Sequence, residues 1–109
     1  MIEKIDFKPG NVTFDKLSKF NDEIPLSKQK HLLDEDLLQI SYSNKITMDV
    51  GWYPAFDPKG VFKILIVKAR DWDNPLEVKR CKALEELTAD LQIFHKLIVK
   101  KYLPSLKKK

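Results

Sequence analysis

Between residues 45 and 53 apolar and polar side chains alternate, with Ile46, Met48, Val50 and Trp52 set against Thr47, Asp49, Gly51 and Tyr53. A period of two is that of a strand with one buried face. Residues 37–42 form a second β-rich run, and Ser43-Asn44 between the two suits a hairpin turn. Residues 54–60 contain two prolines and a glycine, cannot continue a ladder, and read as a loop. Residues 61–69 predict a third strand, apolar at every position from Ile64 to Val67 and so expected to be a central strand covered on both faces or one covered by the N-terminal segment. After a second loop, Arg70-Asp71-Trp72-Asp73-Asn74-Pro75, residues 76–81 predict a short fourth strand.

The period then changes. Leu84, Leu87, Leu91, Phe94, Ile98 and Tyr102 recur every three or four residues, the apolar stripe of an amphipathic helix. Glu85, Glu86 and Asp90 come early, and Lys96, Lys100 and Lys101 come late, the order that a helix dipole favours. Pro104 is the expected stop. About 21 residues at 1.5 Å each give a helix of roughly 30 Å, enough to cross a four-stranded sheet. Its stripe is expected to pack on Ile46, Met48, Val50 and Trp52.

Residues 1–36 are less periodic. Residues 2–7 are a candidate extra strand. Phe14, Leu17 and Phe20 suit a short helix over 13–20, and Ser27 suits the cap of a second helix running to about Glu35, with Leu32 and Leu33 inward. The expected fold class is α+β: an antiparallel four-stranded meander packed against a long C-terminal helix, with short helices at the N-terminus.

The 109 residues correspond to one domain, 1–109, and 43% hydrophobic residues provide a core that needs no staple. Cys81 is the only cysteine, so no internal disulfide can form. That fact, and acids close to the N-terminus in place of a signal-peptide pattern, lead to the expectation of a cytoplasmic protein. The net charge of +4 is unevenly spread: residues 1–36 carry six bases and eight acids, residues 79–109 nine bases and three acids. A basic C-terminal segment can touch nucleic acid, although lysines at a solvated helix end are the plainer account.

Few motifs carry chemistry. Glycines at 10, 51 and 60 make no phosphate loop, and no Cys-x-x-Cys or two-histidine helical motif is present. His31 and His95 read as surface histidines. Cys81 between Arg80 and Lys82 has neighbours that lower a thiol pKa but no histidine nearby in sequence to serve as its partner. The expectation is a non-enzyme with no catalytic residue, no metal and no cofactor. Asp57-Pro58 and Asp73-Asn74-Pro75 suit turns, and Asp49 has Lys63 as a candidate cross-strand partner.

The same stretch also reads as a binding surface. Asp49, Tyr53, Phe56, Asp57, Asp71, Trp72 and Asp73 combine aromatic anchors with steering charges, while Trp52 falls on the core face. An acidic, aromatic patch repels phosphate and suits a basic protein partner.

The strings EDLLQISY at 35–42, DVGWYPAFDPKGVFKI at 49–64 and DWDNPLEVKRC at 71–81 resemble bacterial immunity proteins of contact-dependent growth-inhibition and polymorphic toxin systems. That resemblance implies a cytoplasmic antitoxin that neutralises one cognate toxin domain by protein–protein contact, and the acidic patch, suited to a basic phosphate-binding groove, favours a nuclease as the target. A nucleic-acid-binding module using the basic C-terminal helix is the alternative, and a small carboxylate enzyme is a third class. Nothing in the sequence marks a membrane partner, and the oligomeric state stays open.

Overall fold

The computed structural model describes residues 5–106. Its centre is an antiparallel sheet of five strands in chain order: β1 (Asn11–Asp15), β2 (Leu38–Tyr42), β3 (Ile46–Tyr53), β4 (Val61–Lys68) and β5 (Glu77–Cys81). The chain is α+β, and the meander lies where the alternation put it. One strand more is present than the pattern predicted. Asn-Val-Thr-Phe-Asp pairs with β2 through Asn11–Ser41 and Val12–Ile40, with a bulge before Phe14 meets Gln39. The helix expected over 13–20 shrinks to one 3-10 turn, Leu17–Lys19. Its β-branched and aromatic start satisfies more backbone groups beside β2 than one helical turn would. Residues 5–7 are not in a strand, and residues 2–4 of the expected extra strand lie outside the described residues.

The second N-terminal helix is a 3-10 stretch, Leu26–Leu32, broken at Gln29. Pro25, not Ser27, precedes it. Gln29 explains the break, because its amide is buried and fully used. Its Nε2 donates to the carbonyls of Asn21 (2.8 Å) and Ile24 (2.9 Å), and its Oε1 accepts from the Asn21 N–H at 2.8 Å. Leu33 is buried and Leu32 half-buried.

Ser43 and Asn44 both have left-handed φ, 56° and 57°, and the Lys45 N–H donates to the Tyr42 carbonyl at 3.1 Å. This is the tight hairpin turn whose twist matches its strands.

The helix α1 (Leu84–Leu97) continues through a π turn, Ile98–Tyr102, into a last turn, Leu103–Ser105. Pro104 therefore does not stop it. A proline lacks an N–H and its ring crowds the carbonyl four residues back. The wider turn just before it, in which Leu103 N–H reaches the Ile98 carbonyl, relieves that crowding.

Leu87, Leu91, Phe94 and Ile98 of the helical stripe share one core with Ile46, Met48, Val50 and Trp52 of β3 and Phe62, Ile64 and Ile66 of β4. Trp52 and Phe62 meet edge to face, 4.8 Å between ring centres. At the β5 edge Lys79 reaches Asp90 of α1 (3.8 Å), and the Tyr102 hydroxyl bonds Glu77. The helix covers one face of the sheet only. On the other face Leu65 is half-buried and Val78 is 40% exposed. The double cover expected for β4 holds there only at Val67, opposite Thr47, which is fully buried yet outside the main core.

Candidate functional site

The seven residues that the sequence offered as one surface are separated. Asp49 and Tyr53 lie on the uncovered sheet face, alternating with the core residues of β3. Phe56 and Asp57 sit in the β3–β4 loop, and Asp71, Trp72 and Asp73 in the β4–β5 loop at the opposite end of the sheet. The eight residues of β4 separate the two loops, roughly 25 Å at strand spacing. A single loop cluster therefore does not form, because consecutive loops of a meander fall on opposite ends.

Asp57 is a turn residue. Its carboxylate accepts from the Lys59 N–H (2.9 Å), and its carbonyl accepts from the Gly60 N–H (2.9 Å) and the buried Trp52 indole (2.7 Å). Asp71 accepts from the Asn74 side chain at 3.3 Å. Asp73 is exposed. Phe56 is different: it holds a left-handed φ of 64° and is 51% exposed, while its N–H is tied to the Leu33 carbonyl at 2.6 Å. A bulky residue in that region costs about 1–2 kcal/mol, and an exposed ring recovers little of it within the fold.

Around Asp49 the structure assembles groups that lie apart in the chain. Segment 34–37 crosses the end of β3: Trp52 N–H donates to the Asp34 carbonyl (2.8 Å), Leu37 N–H to Val50 (2.9 Å), and the Tyr53 hydroxyl to Glu35 (3.3 Å). Gly51 permits this crossing, since a Cβ there would collide with the Glu35 carbonyl. Asp36 and Asp49 then line one shallow hollow of about 290 Å³ with Phe14, Leu37, Leu38 and Gln39. Phe14 is 45% exposed. Phe14, Glu35 and Asp36 were missed from sequence, although the run Asp34-Glu35-Asp36 just before a strand was a visible signal.

Burial raises the Asp49 carboxyl pKa, and Asp36 raises it further, while Gln39 and the charge of Lys63 oppose the shift. The expected Asp49–Lys63 pair does not form. Lys63 stands opposite Gly51, and its ammonium lies over the Tyr53 ring, 5.5 Å from the centre. The one hydrogen bond to the Asp49 carboxylate among the described residues is a long one, 3.4 Å from the Gln39 amide. Burial also raises the Tyr53 phenol, helped by Asp49, Glu35 and Asp36. Asp34, by contrast, is held low by its 2.8 Å bond with Lys16.

Two acids in one hollow, one of them titrating high, is also what a carboxylate enzyme would need. The other lining groups are two leucines, a phenylalanine and an amide, which provide neither a nucleophile nor a second proton carrier. Among the described residues no three His, Cys, Asp or Glu side chains gather as metal ligands. Cys81 faces the core, and burial, the largest cause, pushes its pKa up to about 12 despite the lysines around it. The lowering that its sequence neighbours offered is thus overturned. His95 is no free surface group either: it is half-buried, Tyr42 lies 2.8 Å from its Nδ1, and the Phe7 ring stands edge-on at 5.9 Å.

No helix among the described residues is long and apolar enough to cross a membrane. Compared with protein-family models, curated proteins and solved structures, the chain matches none of them.

Proposed function

We propose that this chain is an immunity protein, which binds a cognate bacterial toxin domain in the cytoplasm and neutralises it by contact, a nuclease being the target that fits best. One observation carries the reading. Asp49 is a desolvated carboxylate on the uncovered sheet face, and neither ion pair of the described residues includes it. A partner's Arg or Lys would complete it, while Phe14, Tyr53 and Phe56 offer apolar contacts around the same end of the sheet. A nuclease uses cations to hold phosphates, and the acids Glu35, Asp36 and Asp49 are suited to meet them.

The contact surface in this reading is narrower than the sequence offered. It keeps Asp49, Tyr53 and Phe56, adds Phe14, Glu35 and Asp36, and leaves Asp57 to its turn. The alternative, nucleic-acid binding through the helix, has its own support in the exposed ridge of Ile93, Lys96, Lys100 and Lys101.

The test is co-expression of the tagged chain with the product of the adjacent gene. A stable complex that restores growth is expected, and reversal of Asp36 and Asp49 to lysine should abolish both. A neighbour that is neither toxic nor bound removes the reading. Salt-sensitive DNA or RNA binding, lost without Lys96, Lys100 and Lys101, would establish the alternative.

A further inference from the structure

At the far end of the uncovered face lies a second hollow, of about 460 Å³, with a different chemistry. It is lined by Thr13, Gln39, Ser41 and Thr47 from three strands, by Asn44 and Lys45 from the hairpin, and by Arg70 and Trp72 from the β4–β5 loop. Two cations and no carboxylate line it, on a face whose other end is acidic. Trp72 is 45% exposed.

The loop that builds it is held in a costly conformation. Ala69 and Arg70 both have left-handed φ, 54° and 58°, and the Asp71 N–H donates to the Lys68 carbonyl at 3.1 Å. This is the same turn type as Ser43-Asn44, but built from residues that disfavour it, where Gly or Asn would fit. Its Ala69 N–H also donates to the Lys45 carbonyl at 2.9 Å. That bond fixes the loop against the hairpin and brings Lys45 and Arg70 to one hollow.

We propose that this hollow binds a nucleoside phosphate, with the base stacked on Trp72, the phosphate held by Arg70 and Lys45, and hydroxyls met by Ser41, Thr47 and Gln39. Arg presents a fork of donors that matches phosphate oxygens. An exposed indole offers a face on which any base can stack. Hydroxyl and amide side chains provide the few oriented polar groups that fix a small ligand. The inference does not rest on the toxin-binding reading, which uses the acidic hollow around Asp36 and Asp49; the two hollows share only Gln39. The ligand is either a free mononucleotide or one nucleotide of a single strand.

The experiment follows the two indole N–H signals by NMR while adenosine 5′-monophosphate, a short oligoadenylate, ribose 5-phosphate and inorganic phosphate are titrated in turn. Saturable movement of the Trp72 signal is expected, with the Trp52 signal, bonded to Asp57, unmoved. Arg70→Gly suits the left-handed turn, so it should stay folded and bind roughly tenfold or more weaker. Trp72→Leu should lose the nucleotide's advantage over ribose 5-phosphate. Much tighter binding of the oligoadenylate would identify the single strand as the source, and equal binding the free nucleotide. An unmoved Trp72 signal at millimolar nucleotide, or unchanged affinity in Arg70→Gly, would overturn the site. Inorganic phosphate binding as well as the nucleotide would overturn the stacking role.

Discussion

The hydroxyl of Tyr42, on β2, stands 2.8 Å from Nδ1 of His95, on α1, and joins the sheet to the helix through a polar contact inside an apolar layer. Burial pushes the Tyr42 phenol far up, so it keeps its proton, and which partner donates follows the tautomer of His95. Burial also lowers the His95 pKa, against the opposing pull of Asp6. The neutral ring is thus the form that the fold holds.

A pH dependence follows with a definite sign. The unfolded chain takes up a proton near the ordinary histidine value of about 6.5, and the folded chain does so only at lower pH. The His95 contribution is therefore complete above about pH 6.5 and is lost as pH falls toward the folded value. Urea midpoints should decline from pH 7 to pH 5.5, and His95→Gln should flatten that part of the curve. An unchanged slope in the variant would show that another group is responsible.

Gly51→Ala should be strongly destabilising although Gly51 lies on the uncovered face. The new methyl meets the Glu35 carbonyl, and this obstacle is backbone that already bonds β3 nearby. A cost of roughly 1–3 kcal/mol or more is expected, read as a lower urea midpoint. Alanine at this position with full stability would mean that segment 34–37 does not cross β3.

Asp49→Asn should separate stability from binding. The raised carboxyl pKa means that the folded chain holds its proton more tightly than the unfolded one, so the carboxylate at neutral pH opposes folding. Its amide should raise stability by on the order of 1 kcal/mol or less and weaken partner binding. Asp34→Asn should do the reverse to stability, because the Lys16 bond favours that carboxylate, and this contribution fades as pH falls below the usual aspartate range. Thermal melts at pH 7 of the two variants distinguish these signs.

Cys81 should be inert in the folded protein. With its pKa pushed up to about 12 and its sulfur buried, a thiol reagent at pH 8 should label it only on unfolding. Its labelling rate then becomes a probe of how often β5 and α1 part. Rapid labelling of the native chain would place β5 elsewhere.

Where the structure depends only on neighbours in sequence, the residues alone determine it. The alternation of Ile46, Met48, Val50 and Trp52 located β3 and its buried face, because a strand turns each side chain opposite to the last. The stripe from Leu84 to Ile98 located the helix and its buried side for the analogous reason at period 3.6. Ser43-Asn44 marked its turn.

What the tertiary structure alone decided is everything that depends on who stands beside whom across the sheet. Asn11–Asp15 became a strand because β2 offered it a ladder, a stabilisation that a local helical pattern cannot register. His95 left the surface because Tyr42 and Phe7 close over it. The aromatic and acidic residues of one short stretch were divided between two ends because successive meander loops point opposite ways. Asp36 and Asp49 came to one hollow, and Lys45 and Arg70 to another, because strand pairing sets distance in space independently of distance along the chain. Composition and period fix which face of each element is buried. The sites lie where unrelated segments meet, and that is a property of the fold.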